Sequence, residues 1–525
     1  MTVDRWLAWA LSDARNRNID GLVPLLESLG HSMQAVRSAE WDCDPSPGTA
    51  ASAATVPVLA GDAQTASSVR TPTPEDPVGP EFWPLTELAA RLRDGSVRAQ
   101  DVLDRCLARI AAANPTLNAM ICVETDRARM AAEAADRRRA AGGRLGPLHG
   151  VPITLKDLID WSGVPTTAAS RVRQGHVAAG DAPIVERLVG AGAIVVGKTN
   201  LHEFAMGPTS EDSAFGPPIH PVDPSRSPGG SSGGSAVAVV AGMCSASIGT
   251  DTGGSIRIPA SACGLVGLKP TFGEIPLDGV VPLAWSMDHA GPLTRTVDDA
   301  WQLFDVLTRA APAGPVSRTQ IERLRFAVLE PYFCDLLDPG VRHAFESAIA
   351  KLRDAGAQIE RLGLPSARYV APVYFQTVLA EAFAYHSTSL DTQPDAYTPP
   401  VRLRLEAARY VPASDYVRAQ RGRLVIASEL DRLLERADAL LLPTLPVAAS
   451  RRGASTVSLD GREEPVRSAL LRLTQVFNLT GHPAITIPIG EAEPGLRAGL
   501  QLASRKHETR LLLAAARSCE DVLSR

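Results

Sequence analysis

Two glycine- and serine-rich clusters constrain the fold of this chain more than any other feature of its sequence. The segment at 227–264 is SPGGSSGGSAVAVVAGMCSASIGTDTGGSIRIPASACG, in which Ser231 and Ser255 each follow two glycines, 24 residues apart. Residues 232–241 are typical of a helix, which carries the chain about 15 Å away. Residues 245–250 are typical of a strand, which can return by about 20 Å. The two serines are therefore predicted to meet at two glycine-rich turns.

The second turn has the features of an anion-binding site. Pro259 suits the first turn of a helix, so Ser255 is expected near a helix start. Gly253 and Gly254 let the backbone approach a ligand and aim successive N–H groups at one point. The N–H groups from Thr252 through Ser255 would then form an oxyanion hole for an acyl-transfer intermediate. Ser255 is well placed as a nucleophile there, but it needs a base.

The composition is that of an ordinary globular protein. The chain has 525 residues, of which 45% are apolar and 21% charged, and its formal net charge is −5. These proportions exclude a mainly disordered or collagen-like chain. The mildly acidic balance argues against nucleic acid as a partner, because phosphate binding requires a basic face.

Nothing in the sequence predicts a membrane-spanning protein or an exported protein. No apolar run reaches the ~20 residues that span a bilayer, and the apolar stretch at 6–11 is too short for a signal-peptide core. The seven cysteines are odd in number and contain no C-x-x-C pair, which favours reduced thiols over disulfides or a zinc site. They stand at 43, 106, 122, 244, 263, 334 and 519. We expect a cytoplasmic protein without a metal or an organic cofactor.

The chain divides into three parts by composition. Residues 1–41 are predicted to form a small helical appendage, since Leu22, Leu25 and Leu29 recur at helical spacing. Residues 42–80 are rich in Pro, Ala and Ser and are interpreted as a linker. Residues 81–525 alternate strand-like and helix-like runs, which predicts an α/β domain with a central mixed β-sheet covered by helices on both faces. The clearest strands are at 151–155, 193–197, 439–444 and 484–489, and the clearest helices at 339–355, 413–436 and 507–522.

Three short motifs are interpreted as chance matches. Residues 192–199 fit the phosphate-loop pattern, but their interior is Ala-Ile-Val-Val, which is itself strand-like. Asp251-Thr252-Gly253 resembles an aspartic-protease motif, but no second copy exists to share a proton. Residues 229–233 fit G-x-S-x-G, but the preceding HPVDPSRSP is not a strand, so this hydrolase elbow stays a minor alternative.

The glycine-serine segment belongs to a longer ordered set of motifs. GGSSGGSAVAVVAG, followed by GTDTGGSIRIPASACGLVGLKPT, strongly resembles the amidase signature family. The resemblance continues in GVPITLKD (150–157), GAIVVGKTNLHEFAMG (192–207), DHAGPLTRTVDDA (288–300) and NLTGHPAITIPIG (478–490), and it covers about 82–525. It implies the amidase-signature fold for residues 81–525.

The resemblance also implies a Ser-Ser-Lys triad. Ser255 matches the acylated nucleophile, Ser231 the bridging serine on a cis peptide, and Lys156 the base. From the residues alone, strand alternation places Lys156 opposite Val151, Ile153 and Leu155, so a solvated lysine at a strand end is the simpler interpretation. To act as a base, its pKa must fall from ~10.4 toward ~7–8, which requires burial or a hydrogen-bond network.

Other residues receive supporting assignments. Asp251 and Arg257 flank the nucleophile and are predicted to form an ion pair that holds the loop, with a surface pair as the alternative for Arg257. Ser232 is interpreted as either a helix cap or a hydrogen-bond donor beside the triad. Cys244 and Cys263 are interpreted as core residues, because nothing nearby would lower their pKa.

Specificity is expected to lie outside the triad. Family members often line the acyl pocket with the residue three past the nucleophile, which here is Ile258, and an aliphatic residue favours an uncharged acyl group. Met206, Gly207 and Trp285 are further predicted pocket residues, and aromatic residues at 374–385 are candidate walls.

The leading hypothesis is a small-molecule amide hydrolase. One alternative is the catalytic subunit of a glutamine-dependent tRNA amidotransferase, although such subunits usually carry Gln where this chain has Ile258 and lack the N-terminal appendage. A non-catalytic binding scaffold on the same fold is another, and the intact triad argues against it. Some relatives work with a small separate helical partner, so residues 1–41 are interpreted as a fused version of one. The assembly considered is a homodimer.

Overall fold

The fold was obtained as a computed structural model, which describes residues 1–17, 19, 21–39, 79–308 and 320–524. Almost all of the predicted linker at 42–80 therefore lies outside the described residues. The sixteen α-helices in these ranges are α1 (Val3–Arg17), α2 (Leu22–Ser38), α3 (Leu85–Asp94), α4 (Ala99–Leu117), α5 (Thr125–Ala140), α6 (Pro183–Gly190), α7 (Gly233–Val240), α8 (Arg257–Ala262), α9 (Val297–Thr308), α10 (Pro339–Asp354), α11 (Val370–Thr392), α12 (Pro399–Ala408), α13 (Ala413–Arg436), α14 (Val466–Leu471), α15 (Gln475–Thr480) and α16 (Thr509–Leu523).

Strands are distributed along the whole main body. Those in the described ranges are β1 (Met120–Val123), β2 (Pro152–Lys156), β3 (Ile194–Thr199), β4 (Ala246–Asp251), β5 (Val266–Lys269), β6 (His289–Thr294), β7 (Arg325–Leu329), β8 (Gln358–Leu362), β9 (Ala439–Pro443), β10 (Thr456–Leu459), β11 (Arg462–Pro465), β12 (Ala484–Glu493) and β13 (Leu496–Ala503). The predicted strands correspond to β2, β3, β9 and β12, and the predicted helices to α10, α13 and α16. These assignments are confirmed to within a few residues at their ends.

Eleven strands form one mixed sheet in the order β1-β3-β2-β4-β6-β5-β12-β13-β9-β7-β8. The β3-β2-β4 and β9-β7-β8 groups are parallel, and the strands between them pair antiparallel. Helices flank this sheet, with α7 against β4, α8 against β5 and β13, and α10 and α16 against β12. The predicted α/β architecture is therefore confirmed.

The two chance motifs that can be checked by position have no functional geometry. The interior of the 192–199 match is β3 itself, which is buried along its whole length. Residues 221–228, before the G-x-S-x-G match, form no strand of the sheet. Neither segment has the strand-to-loop arrangement that its motif requires.

The two N-terminal helices pack on the main body. Helix α2 lies against α11, α12 and α13, and most of its large apolar side chains are buried. Trp6 in α1 is fully buried and donates from Nε1 to the carbonyl oxygen of Tyr410 at 2.9 Å. Arg37 forms a two-pronged ion pair with Asp415, at 2.6 and 2.7 Å. Residues 3–38 thus share a hydrophobic core with the helices they cover.

The described residues contain neither a membrane-spanning helix nor a metal-binding cluster. No helix among them is sufficiently long and apolar to cross a bilayer, and no group of three or more His, Cys, Asp and Glu side chains could hold a metal ion. The six cysteines of these ranges are free thiols, and burial raises the pKa of Cys244 to about 11. Cys43 lies outside the described residues.

Candidate active site

The site forms at one edge of the sheet because two neighbouring parallel strands end there. Lys156 is the last residue of β2 and Asp251 the last of β4, and these strands pair in parallel register. The carboxyl ends of parallel strands meet at the same edge of a sheet, where α/β proteins commonly place their ligands. Lys156 is thereby brought beside the glycine-rich turn that follows Asp251.

Lys156 is fully buried rather than solvated. Its Nζ donates to Ser231 Oγ at 2.7 Å and to Thr250 Oγ1 at 2.8 Å. Every residue of β2 is buried, because the sheet is covered on both faces, so the interpretation of Lys156 as a solvated strand-end lysine is wrong. The neighbouring Asp157 pairs instead with Lys198, at 3.0 Å.

This environment favours the neutral amine. Among the described residues, no carboxylate forms an ion pair with Lys156. Burial lowers the pKa of Lys156 to about 7, against the opposing pull of the Asp251 and Asp288 charges. A lysine with that pKa is partly deprotonated at neutral pH and can accept a proton.

Ser231 stands in the turn before α7. The peptide bond between Gly230 and Ser231 is cis. The carbonyl oxygen of Ser231 accepts from the His202 backbone N–H at 3.0 Å and from Ser210 Oγ at 3.2 Å. The segment at 202–210 therefore supports the turn that presents Ser231 to Lys156.

The two glycine-serine turns lie side by side. The backbone N–H of Ser232 donates to the carbonyl oxygen of Ser255 at 3.2 Å, which confirms the predicted return of the chain. Ser255 is 5% exposed. Within the described ranges no hydrogen bond joins Ser231 Oγ to Ser255 Oγ, so the hydrogen-bonded chain runs from Lys156 to Ser231. Catalytic hydrogen bonds are often long before substrate binds.

The turn at 252–255 offers unpaired backbone donors. In the part of the chain that the structure describes, the N–H groups of Gly253, Gly254 and Ser255 donate no hydrogen bond. Gly254 has a φ of +140°, which a residue with a side chain rarely adopts. Thr252 Oγ1 donates to the Asp288 carboxylate at 2.5 Å. Buried N–H groups without an acceptor are costly unless a ligand supplies one, as the predicted oxyanion hole would require.

Asp251 and Arg257 form a buried ion pair that spans this turn. Arg257 Nη2 lies 2.9 Å from Asp251 Oδ1, and Arg257 Nε lies 3.0 Å from Oδ2. Asp251 Oδ2 also accepts the N–H of Ile256 at 3.1 Å. Burial opposes the ionisation of Asp251, but the charge and hydrogen bond of Arg257, with help from Lys269 and Asn478, together hold the pKa of Asp251 well below its usual range. The alternative of a surface pair for Arg257 is wrong, since both side chains are fully buried.

Ser232 acts as a donor and not as a cap. Its Oγ donates to the carbonyl oxygen of Thr250 at 3.2 Å, and its side chain makes no capping hydrogen bond to α7. The same threonine accepts from Lys156 through its side chain. Ser232 thus ties the end of β4 to the start of α7.

The predicted pocket residues have different surroundings. Ile258 is fully buried and packs where a Cβ on Gly254 would stand, so it supports the turn from behind. The Met206 carbonyl oxygen accepts from Arg467 at 2.8 Å, and Gly207 lies against the His202 imidazole. Trp285, by contrast, is 50% exposed.

Sequence reasoning missed several neighbours of the turn. Thr250 binds Lys156, and Asn478 donates to Asp251 Oδ1 at 2.8 Å. Tyr374 and Leu471 both lie where a side chain on Gly253 would stand. Asn478 belongs to the quoted NLTGHPAITIPIG motif, which was the one available signal. Tyr374 belongs to the aromatic residues at 374–385 that the sequence suggests as candidate pocket walls.

Comparison with known proteins agrees with this geometry. Residues 101–513 match the family model described as Amidase. The chain is 41% identical over 444 residues to an amidase of Pseudomonas putida, covering 82% of this chain and 94% of that protein. It is 38% identical over 465 residues to a glutamyl-tRNA(Gln) amidotransferase subunit of Chloroflexus aurantiacus, covering 82% and 94%. A crystal structure of an amidase superposes with a TM-score of 0.80 at 37% identity, covering 84% of this chain and 100% of that one. The chain therefore belongs to the amidase family of carbon–nitrogen hydrolases.

Proposed function

We propose that this chain hydrolyses the C–N bond of a small-molecule amide through a covalent acyl-enzyme on Ser255. The observation that carries the proposal is the buried Lys156 Nζ, 2.7 Å from Ser231 Oγ, with its pKa lowered to about 7. A buried amine that is partly neutral near pH 7 and bonded to a hydroxyl is a general base in position.

Acylation proceeds by proton transfer through two serines. Ser255 Oγ attacks the amide carbonyl carbon, while its proton passes to Ser231 Oγ and the Ser231 proton passes to Lys156 Nζ. The carbonyl oxygen becomes an oxyanion, which the free N–H groups at 253–255 bind. The C–N bond then breaks as Lys156 returns the proton through Ser231 to the leaving nitrogen, so that ammonia or an amine departs.

Deacylation repeats these steps with water. Lys156 takes a proton from water through the same route, and the water oxygen attacks the ester carbonyl. The ester bond to Ser255 Oγ breaks, its oxygen recovers the proton, and a carboxylic acid leaves. Asp251 and Arg257 act as positioning residues, because they anchor both ends of the turn that carries the donors.

The test is release of ammonia or amine from a panel of aliphatic, aryl and carbamoyl-type amides. Ser255→Ala is expected to abolish release and to prevent a mass increase of the protein by one acyl group. Ser261→Ala is the matched control, since Ser261 is buried on the adjacent α8 and its Oγ has no hydrogen-bond partner within the described residues. Turnover that survives in Ser255→Ala would contradict the assignment of the nucleophile.

A second candidate is the catalytic subunit of a glutamine-dependent tRNA amidotransferase. The 38% identity to such a subunit of Chloroflexus aurantiacus favours it, whereas Ile258 stands where these subunits usually carry Gln. L-glutamine in the panel separates the two functions. Ammonia release from glutamine alone supports the amidotransferase function, and release from other amides supports the hydrolase. If the chain shows no release of ammonia or amine and no acylation of Ser255, the result would support a non-catalytic scaffold.

We also propose that residues 81–525 form the catalytic domain and that residues 1–41 are an accessory element fused to it. Support comes from the family match at 101–513 and from the packing of α2 on α11, α12 and α13. Deletion of residues 1–80 tests both parts: retained turnover would support residues 81–525 as the catalytic domain, and unchanged solubility, assembly and turnover would contradict the accessory role of residues 1–41. Cytoplasmic location and a homodimer stay predictions.

A further inference from the structure

Two arginines, Arg404 and Arg467, donate hydrogen bonds to the same backbone oxygen. Arg467 Nη1 donates to the Met206 carbonyl oxygen at 2.8 Å, and Arg404 Nη1 reaches the same oxygen at 3.3 Å. Arg404 also lies 3.3 Å from Asp212 Oδ2, which is 3.0 Å from His202 Nε2. Burial lowers the pKa of His202, which favours the neutral form of its imidazole. Of the two guanidinium groups, Arg404 therefore has a carboxylate within ion-pair distance and Arg467 does not, among the described residues.

Arg467 has no carboxylate in direct contact within the described residues, although the more distant Asp212 charge favours its charged form and acts to raise its pKa. It forms no ion pair within the described ranges, and the bond to Met206 is the one hydrogen bond of its side chain there. Burial and the neighbouring Arg404 charge lower the pKa of Arg467 to about 9, which still leaves it positive at neutral pH. A partly buried charge without a partner is costly, and an anion that arrives there removes that cost.

Arg257 and Arg467 differ in how many of their side-chain N–H donors form hydrogen bonds. All five side-chain N–H donors of Arg257 are used, by Asp251, Asn478, Gln501 and the Thr474 carbonyl oxygen. Arg467 uses one of its five donors and remains partly exposed. Its remaining donors are suited to a planar carboxylate, which a guanidinium binds with two parallel hydrogen bonds.

Two sets of contacts connect Arg467 to the turns that carry Ser231 and Ser255. It stands one helical turn before Leu471 in α14, and Leu471 Cδ2 lies 3.1 Å from the position of a Cβ on Gly253. Tyr374 reaches the same glycine, and the Arg467 charge opposes the rise that burial causes in the Tyr374 pKa. Through Met206, Arg467 also holds the segment at 202–210 that contacts the Ser231 carbonyl oxygen.

We propose that Arg467 binds a carboxylate of the substrate, so that the preferred substrate is an amide that also carries an acid group, such as the monoamide of a short dicarboxylic acid. This inference rests on the proposed amide hydrolysis. It also replaces the expectation of an uncharged acyl group, which came from Ile258 alone. Ile258 packs against Gly254 and supports the turn, so it is a weak guide to the substrate. Arg467, in contrast, has N–H donors free to bind one.

The test compares matched pairs of substrates that differ only in the acid group. The pairs are malonamate with malonamide, succinamate with succinamide, and glutaramate with glutaramide. The wild type is expected to prefer at least one monoamide acid over its diamide in kcat/KM. Arg467→Gln is expected to reduce that preference at least about 30-fold, as the loss of one partner of a buried charge pair does. Arg462→Gln, an exposed arginine on β11, is the control.

A binding measurement keeps the inference testable without turnover. Calorimetric titration with malonate, succinate and glutarate is expected to show binding of at least one dicarboxylate to the wild type, weakened by Arg467→Gln. A variant that fails to fold, as judged by circular dichroism, is replaced by Arg467→Lys, which should retain weaker binding.

Three results overturn the inference. They are equal or better use of every diamide by the wild type, an equal loss for both members of each pair in Arg467→Gln, and no binding of any dicarboxylate. Turnover of neutral amides in those cases leaves the proposed hydrolysis intact. Dicarboxylate binding without any turnover or acylation would contradict the hydrolysis and support the Arg467 site.

Discussion

The protonation of Lys156 predicts the pH dependence of the reaction. Burial lowers its pKa from 10.5 to about 7, which corresponds to about 5 kcal/mol between its two protonation states at ~1.4 kcal/mol per pKa unit. About a tenth of the molecules then carry the neutral amine at pH 6, half at pH 7 and nine tenths at pH 8. An unperturbed lysine would be neutral in about one molecule in 2,500 at pH 7.

The assay is kcat/KM between pH 5 and pH 10, with an amide that does not itself titrate in this range. Because the proposed mechanism uses the neutral amine as its base, activity is expected to rise with pH, with a midpoint near 7, and to level off above pH 8. Lys156→Met removes the proposed base but keeps an unbranched chain. It should lower kcat/KM about 10²- to 10⁴-fold and should abolish the rise of kcat/KM with pH, which is the acidic limb of the profile.

A second group near the site requires a control. Burial also raises the pKa of Glu211 to about 7, and Glu211 accepts the backbone N–H of Gly453 at 3.1 Å. Glu211→Gln should retain the limb if Lys156 causes it. A kcat/KM that climbs tenfold per pH unit up to pH 9 would refute the lowered pKa. A limb that persists in Lys156→Met would assign it to another group.

Three further predictions concern the supports of the site. Arg257→Met should lower the free energy of unfolding by about 3–5 kcal/mol in urea titrations, because it leaves the Asp251 carboxylate buried without its partner. Trp6→Ala should cost about 3–5 kcal/mol of packing between α1 and the main body, measured as earlier proteolysis of the N-terminal helices. Gly253→Ala should reduce kcat/KM by at least about 10²-fold, because the added methyl group collides with the Tyr374 hydroxyl and displaces an oxyanion donor.

Each of these has a control in the same chain. A loss below about 1 kcal/mol in Arg257→Met would mean that the pair is solvated. Trp9→Ala, at a residue that is 53% exposed, should leave the N-terminal helices more resistant to protease than Trp6→Ala does. Gly175→Ala adds a methyl group with nothing within 4 Å and should keep full activity, and an equal loss in both glycine variants would argue against the collision.

Local patterns in the sequence predicted the elements that form the site. Apolar runs and glycine punctuation predicted β2, β4, α7 and the turn at 252–255, and the helix–strand lengths predicted that Ser255 returns beside Ser231. These features depend on neighbours in the chain, since helical periodicity, strand periodicity and turn formation are local properties. The motif order was sufficient for the family, which the comparisons confirmed.

Patterns with a period of two misled at Lys156. Alternation assigns a residue to one face of a strand, and a polar residue opposite an apolar set suggests a solvated face. In this sheet both faces of β2 are covered, so the two faces do not differ in burial. The same limit applies to Arg257, whose partners Asn478 and Gln501 follow it by more than 200 residues.

The sequence by itself determined the family and the α/β architecture, and it predicted Lys156, Ser231 and Ser255 as the proposed triad. Only the tertiary structure decided that Lys156 is buried without a carboxylate partner, that Arg257 is fully paired and that Arg467 is not. Local patterning follows from backbone geometry and from side chains a few positions apart. The charge state of a side chain follows from the dielectric surroundings and the counter-charges that distant segments bring to it, and these exist only in the folded chain.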